Sequence, residues 1–98
     1  MENRITKILD KFNKAYKIDE EGKLHLQIQD EKYDYDKHER VRYTQLVMVE
    51  VVDEELGIIK FTETDSNDES STASTFVSMD EVCSAFLKDI DCIESKED

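Results

Sequence analysis

From Val41 to Val52 apolar residues occupy both faces, Val41, Tyr43, Val47, Val49 and Val51 on one and Leu46, Met48 and Val52 on the other. A strand covered twice at its middle has this pattern, so the segment reads as the spine of a sheet. The rest must be arranged around it. "DEELG" turns the chain and "IIKFTET" supplies a strand paired antiparallel to the spine through that loop. On the other side "KLHLQIQ" sets Leu24, Leu26 and Ile28 inward against His25, Gln27 and Gln29 outward. Between them, "DEKYDYDKHER" keeps some alternation through Tyr33 and Tyr35, and residues 30–40 fit either a strand extension or a long loop.

Two helices flank these strands. Ile5, Ile8, Leu9, Phe12, Ala15 and Tyr16 recur at helical spacing, with Lys7, Lys11 and Lys14 opposite, so residues 3–16 read as an amphipathic helix. Near the other end, Ser78 and Glu81 have the spacing of a capping box, Val77 and Val82 that of a hydrophobic staple, and Asp80 and Glu81 suit the positive end of a helix dipole. The stripe Met79, Val82, Cys83, Phe86, Leu87, Ile90 and Ile93 extends that helix to about residue 93, and residues 94–98 are expected to fray. The expected architecture is α+β: helix, three-stranded antiparallel sheet, helix, in a single domain spanning 1–98.

Composition narrows the class. With 38% hydrophobic residues the chain has material for one modest core, while 39% charged residues and a mean hydropathy of −0.69 leave its other positions strongly solvated. No apolar run approaches a membrane span, and "MENRITKILDKF" carries charges where a secretory leader needs an apolar stretch, so a cytoplasmic protein is expected. On a helix reaching residue 93, Cys83 and Cys92 fall on opposite faces, and both are expected to be reduced, Cys83 within the core.

Catalytic and metal motifs fail one by one. Asp65, Asn67 and Glu69 match the start of a calcium loop, but Ser70 stands where glycine is needed and Phe76 where glutamate is. Asp34, Asp36 and His38 alternate, a pattern commoner among hydrated loop residues than in metal triads. Neither histidine has a serine or cysteine at a telling distance, and Gly22 and Gly57 cannot form a phosphate loop. The expectation is a non-enzyme without cofactor or metal.

Charge carries the functional signal. Residues 1–49 hold ten acidic and ten basic residues, whereas residues 50–98 hold fifteen acidic ones against Lys60, Lys88 and Lys96, so the net charge of −12 comes from the second half. Solubility accounts for net charge but not for its segregation, and blocks of like charge are frequently interaction surfaces. A pI near 4.5 disfavours direct nucleic-acid binding and favours a basic protein partner, whose groove carboxylates occupy in place of phosphates. Two acidic clusters stand out: Asp53, Glu54 and Glu55 in a turn, and Glu63, Asp65, Asp68 and Glu69 in and before an acidic, serine-rich loop over 64–75. They are expected at opposite ends of the third strand, about 23 Å apart.

The order helix, three-stranded sheet, acidic segment, helix, with "TQLVMVEV" at Thr44 to Val51 and "TETDSNDESS" from Thr62, resembles the small acidic phage-encoded anti-CRISPR proteins that mimic duplex DNA. The resemblance implies an inhibitor seated in the basic site where an RNA-guided nuclease reads its short duplex motif, with Asp53, Glu54, Glu55, Glu63, Asp65, Asp68 and Glu69 as the contacting acids, and a monomer or homodimer in the host cytosol. An immunity protein or antitoxin against a toxin nuclease would use the same carboxylates. A third reading is an oligomerising structural or adaptor protein that pairs through a sheet edge or its Leu46/Met48 face.

Overall fold

The computed structural model describes residues 4–66 and 68–96, positions 68–70 by their backbone alone. Its spine is longer than the apolar run that announces it. β3 (Glu39–Asp53) has 15 residues and pairs through its first eleven with the whole of β2 (Leu24–Asp34), in a register that sets Leu24 against Val49 and Asp34 against Glu39. Residues 30–40 are therefore two strand ends joined by a four-residue turn. Asp34 closes it by accepting the amides of Asp36 and Lys37 at 3.0 and 3.3 Å, and His38 takes a positive φ of 56°.

β4 (Ile58–Asp65) returns antiparallel to β3 after a turn in which the Asp53 carboxylate accepts the Leu56 amide at 3.0 Å. Gly57 ends that turn at φ 66°, where a side chain would be strained. The next segment corrects the sequence reading. The acidic, serine-rich stretch is not a loop over 64–75: Asp68–Ser78 forms β5, paired with β4 from Asp65↔Asp68 to Ile58↔Ser78. Hydroxyls explain how a segment so poor in apolar residues joins a sheet. Thr62 pairs with Ser74 at 3.0 Å and Thr64 with Thr72 at 3.2 Å across the strands, a side-chain ladder that needs no apolar contact.

A two-residue strand, β1 (Lys17–Ile18), lies on the outer side of β2. The sheet is thus five-stranded and antiparallel in the order β1-β2-β3-β4-β5, not three-stranded, while the α+β class stands. The helices α1 (Arg4–Lys11) and α2 (Met79–Lys88) cover one face. Ile5 and Leu9 from α1 and Val82, Cys83 and Phe86 from α2 close over Leu24, Leu26, Val47, Val49 and Ile59, all buried. Arg4 pairs with Asp80, tying the first turns of the helices together.

Both helices are shorter than their periodicity suggests. α1 ends in a Schellman motif, with Asn13 left-handed at φ 56°, its amide on the Asp10 carbonyl at 3.2 Å and the Lys14 amide on the Leu9 carbonyl at 2.8 Å. α2 begins as the capping signal requires, the Ser78 hydroxyl accepting the Glu81 amide at 3.1 Å, but stops at Lys88 before a 3-10 turn at Ile90–Cys92. Cys83 and Cys92 therefore do not share one helix; both are free thiols, Cys83 buried and Cys92 exposed. Glu94 to Lys96, expected to fray, is bonded into the fold: the Glu94 amide reaches the Gln27 carbonyl at 3.1 Å, and the Lys96 amide reaches that of Asn13 at 2.9 Å. No helix among the described residues is long and apolar enough to cross a membrane.

Replacing Asn13 with Gly should leave stability level or raised, whereas Asn13→Ala should cost about 1 kcal/mol in denaturant titration, because Ala lacks the polar group that eases a left-handed φ. The Asp19 carboxyl is held below its ordinary value, first by the His25 ring at 2.7 Å and then by the Lys23 and Glu21 amides. A depressed carboxyl contributes stability above its unfolded value near pH 3.9 and loses it as pH falls through the lower folded value. The thermal midpoint of Asp19→Asn should therefore lie below that of the parent at neutral pH, and the two should converge under strong acid.

Candidate binding site

The inward face of the sheet changes character along its length. Under the helices its rows are apolar, Leu24–Val49–Phe61 and Val51–Ile59–Val77. Farther toward the β2–β3 turn the same face carries Gln45, Asp65, Asp30, Tyr43 and Lys32, with Glu63 beside Val47 at the boundary. The helices do not extend over these positions, so the polar side chains satisfy one another. Gln45 donates to Glu63 at 2.9 Å, Lys32 to Asp65 at 2.9 Å, and the Tyr43 hydroxyl to Asp30 at 3.3 Å. The Lys32 ammonium also sits 4.8 Å from the Tyr43 ring centroid. Burial, then the nearby Asp30, raises the Tyr43 phenol above its ordinary value, so it stays a neutral donor.

Where this polar half meets the side of α2, from Glu81 to Asp89, there is an open cavity of about 540 Å³. Its floor is apolar, formed by Ile28, Phe61, Val82 and Phe86, and its wall carries the carboxylates of Asp30, Glu63, Glu81 and Asp89. Such a site can take a cationic side chain with an aliphatic or aromatic stem, the stem on the floor and the charge against the wall. The opposite face of the sheet differs in charge: along β2, β3 and β4 it bears Glu31 and Glu50 against Arg40, Arg42 and Lys60. Arg40 and Arg42 both reach Glu31 there, at 3.5 and 3.6 Å.

The seven acids expected to form the contact surface are thus dispersed. Glu63 lines the cavity, and Asp65 lies next to it, 8% exposed and held by Lys32. Asp53 is engaged in closing its own turn, and the exposed Glu54 and Glu55 stand at the far end of β4. Asp68 and Glu69 begin β5, their side chains outside the described residues, as is Asn67 of the rejected calcium pattern. The separation of the two clusters along β4 is as expected; the burial of Asp65 is not. Asp30, Tyr43, Glu81 and Asp89 were missed as site residues, because Asp30 and Tyr43 meet only through the β2–β3 register, Glu81 reads as a helix-dipole charge, and Asp89, the residue that ends α2, belongs to no sequence pattern.

Among the described residues no group of three or more His, Cys, Asp or Glu could hold a metal. Asp34, in the pattern considered for one, is spent on its turn. No protein family, curated protein or solved structure matches the chain.

Cys92 lines the cavity and Cys83 is buried under α1, its thiol pushed up mainly by that burial. A thiol reagent at neutral pH should modify one cysteine per folded chain rapidly, at Cys92, and the second only on unfolding. Peptide mapping of the first adduct checks this.

Proposed function

We propose that this protein acts by binding, as an acidic inhibitor that occupies the basic nucleic-acid groove of a nuclease in the cytoplasm. The observation that supports the reading is the gathering of Asp30, Glu63, Glu81 and Asp89 around an apolar floor on the helix-bearing side, while the opposite sheet face stays near neutral. A groove that binds nucleic acid offers the complementary chemistry, arginine and lysine side chains spaced to neutralise phosphates. The apolar floor accommodates their stems, and the surplus negative charge speeds encounter. An RNA-guided nuclease of the kind blocked by anti-CRISPR proteins is the partner class this reading favours.

The test is inhibition of duplex cleavage by a panel of purified RNA-guided nucleases, with binding measured across a salt series. Two charge-matched variants separate a site from overall charge. One carries Asp30→Asn, Glu63→Gln, Glu81→Gln and Asp89→Asn; the other carries Glu20→Gln, Glu21→Gln, Glu54→Gln and Glu55→Gln. The cavity variant should lose about ten-fold or more in affinity, about 1.4 kcal/mol, while the control changes little. Affinity of the parent should fall steeply with salt. Equal losses in both variants would reduce the effect to net charge, and no inhibition of any nuclease would remove this partner class.

A further inference from the structure

The two edges of the sheet are treated differently. On the β2 side, β1 covers the start of the strand, the Glu94 amide bonds to Gln27, and the remainder carries Asp30, Glu31, Lys32 and Asp34. Charge and cover of this kind keep an edge from pairing with another chain. β5 has neither. Among the described residues no strand lies on its other side, and from Ser70 to Ser78 no residue carries a charge. The chain contains no proline, and Ser71 to Phe76 are all exposed.

We propose that β5 is a self-pairing edge, joining two copies of this chain antiparallel about a two-fold axis at Ala73 into one continuous sheet. The register follows from the β4–β5 ladder. Centred on Ala73, Thr72 faces Ser74 of the second copy and Ser74 faces its Thr72, repeating the hydroxyl pairs that Thr64 and Thr62 make with these residues inside the chain. A hydroxyl has one donor and two acceptor sites and can serve a neighbour on each side. Ala73 faces itself, and its methyl offers no clash at the axis. Asp68 and Glu69 fall opposite Ser78 and Val77 rather than each other, so the pairing sets no like charges face to face.

A second copy is the occupant because charge selects it. For a chain of net charge −12, the neutral stretch on β5 is where a copy can approach without stacking carboxylate on carboxylate. The contact is mainly backbone hydrogen bonds and buries little area, which makes the dimer weak and reversible. Its salt response follows: screening lowers the repulsion between two acidic bodies and leaves the hydrogen bonds untouched. Self-association therefore tightens with salt, opposite to a complex with a basic partner. It does not depend on the proposed function.

Sedimentation equilibrium of the full chain from about 10 µM to about 1 mM should show a monomer–dimer equilibrium whose dissociation constant falls several-fold as salt rises from about 0.05 to 0.5 M. Ala73→Arg sets two guanidinium groups against each other at the axis while Glu63 across the β4–β5 ladder receives each one within its own chain. It should weaken the dimer about ten-fold or more with the thermal midpoint maintained. In a Cys92→Ser background, Ala73→Cys should crosslink under mild oxidation, whereas Phe76→Cys, about 20 Å from its copy in this register, should not. A chain monomeric at every salt concentration, a dimer that loosens with salt, or a dimer that persists in Ala73→Arg or crosslinks at 76 instead of 73 would overturn the proposal. Monomers that bind an added extended peptide at this edge would assign it to a heterologous strand instead.

Discussion

The structure depends on a mismatch of lengths. β3 runs for 15 residues, about 45 Å when extended, whereas α1 and α2 have eight and ten residues, about 12 and 15 Å. Two such helices cannot cover the face they pack on. Where they reach, the sheet is lined with Val47, Val49, Leu24, Leu26 and Ile59, and water is excluded. Beyond them the same alternation continues with Gln45, Tyr43, Asp30, Lys32 and Asp65, because an apolar surface left bare there would be an association liability. These polar side chains need partners, and their pairings across strands fix the rim of the cavity. The candidate site and the core are the two halves of one face, divided where helical cover ends.

This division explains what could be read from the chain alone. Apolar periodicity located every element that gives the core a fully buried side chain: α1 through Ile5 and Leu9, β2 through Leu24 and Leu26, β3 through Val47 and Val49, β4 through Ile59, α2 through Val82 and Phe86. It failed where strands are held by other forces. β5 contributes Val77 to the inner face but from Ser70 to Thr75 is Ser and Thr apart from Ala73, so its membership in the sheet rests on hydroxyl pairs and backbone bonds to β4. β1 is two residues long, below what any pattern can reveal. The ends of the helices were misjudged for a related reason, since Ala15, Tyr16, Ile90 and Ile93 are apolar at helical spacing but pack after the helix has stopped, once Asn13 and Asp89 have turned the chain.

The site was less legible than the fold because it is a product of register. Whether Asp30 stands near Glu63 depends on how β2, β3 and β4 align, and one residue of slip would send either side chain to the other face. Clustering along the sequence selected Asp53, Glu54 and Glu55, which are neighbours in the chain but only form a turn. Segregation of charge was nevertheless informative. Every carboxylate on the cavity wall except Asp30 comes from the second half, where the acids outnumber the bases.

The two proposed surfaces meet at the β4–β5 ladder, where Glu63 of the cavity is paired with Ala73 of the edge. A sheet continued through Ala73 would set Glu63 of the two copies three strand spacings apart, about 14 Å, on the same face. Two acidic cavities would then lie side by side, a broader anionic surface than one chain provides. Their mutual repulsion opposes pairing, so any cation that settles among these carboxylates reduces the cost of bringing the copies together. By linkage, pairing must raise affinity for a cationic partner that spans both cavities by the same factor as that partner favours pairing. Self-association and capture of a basic surface would thus be coupled through a single row of the sheet, with Glu63 as the residue common to both.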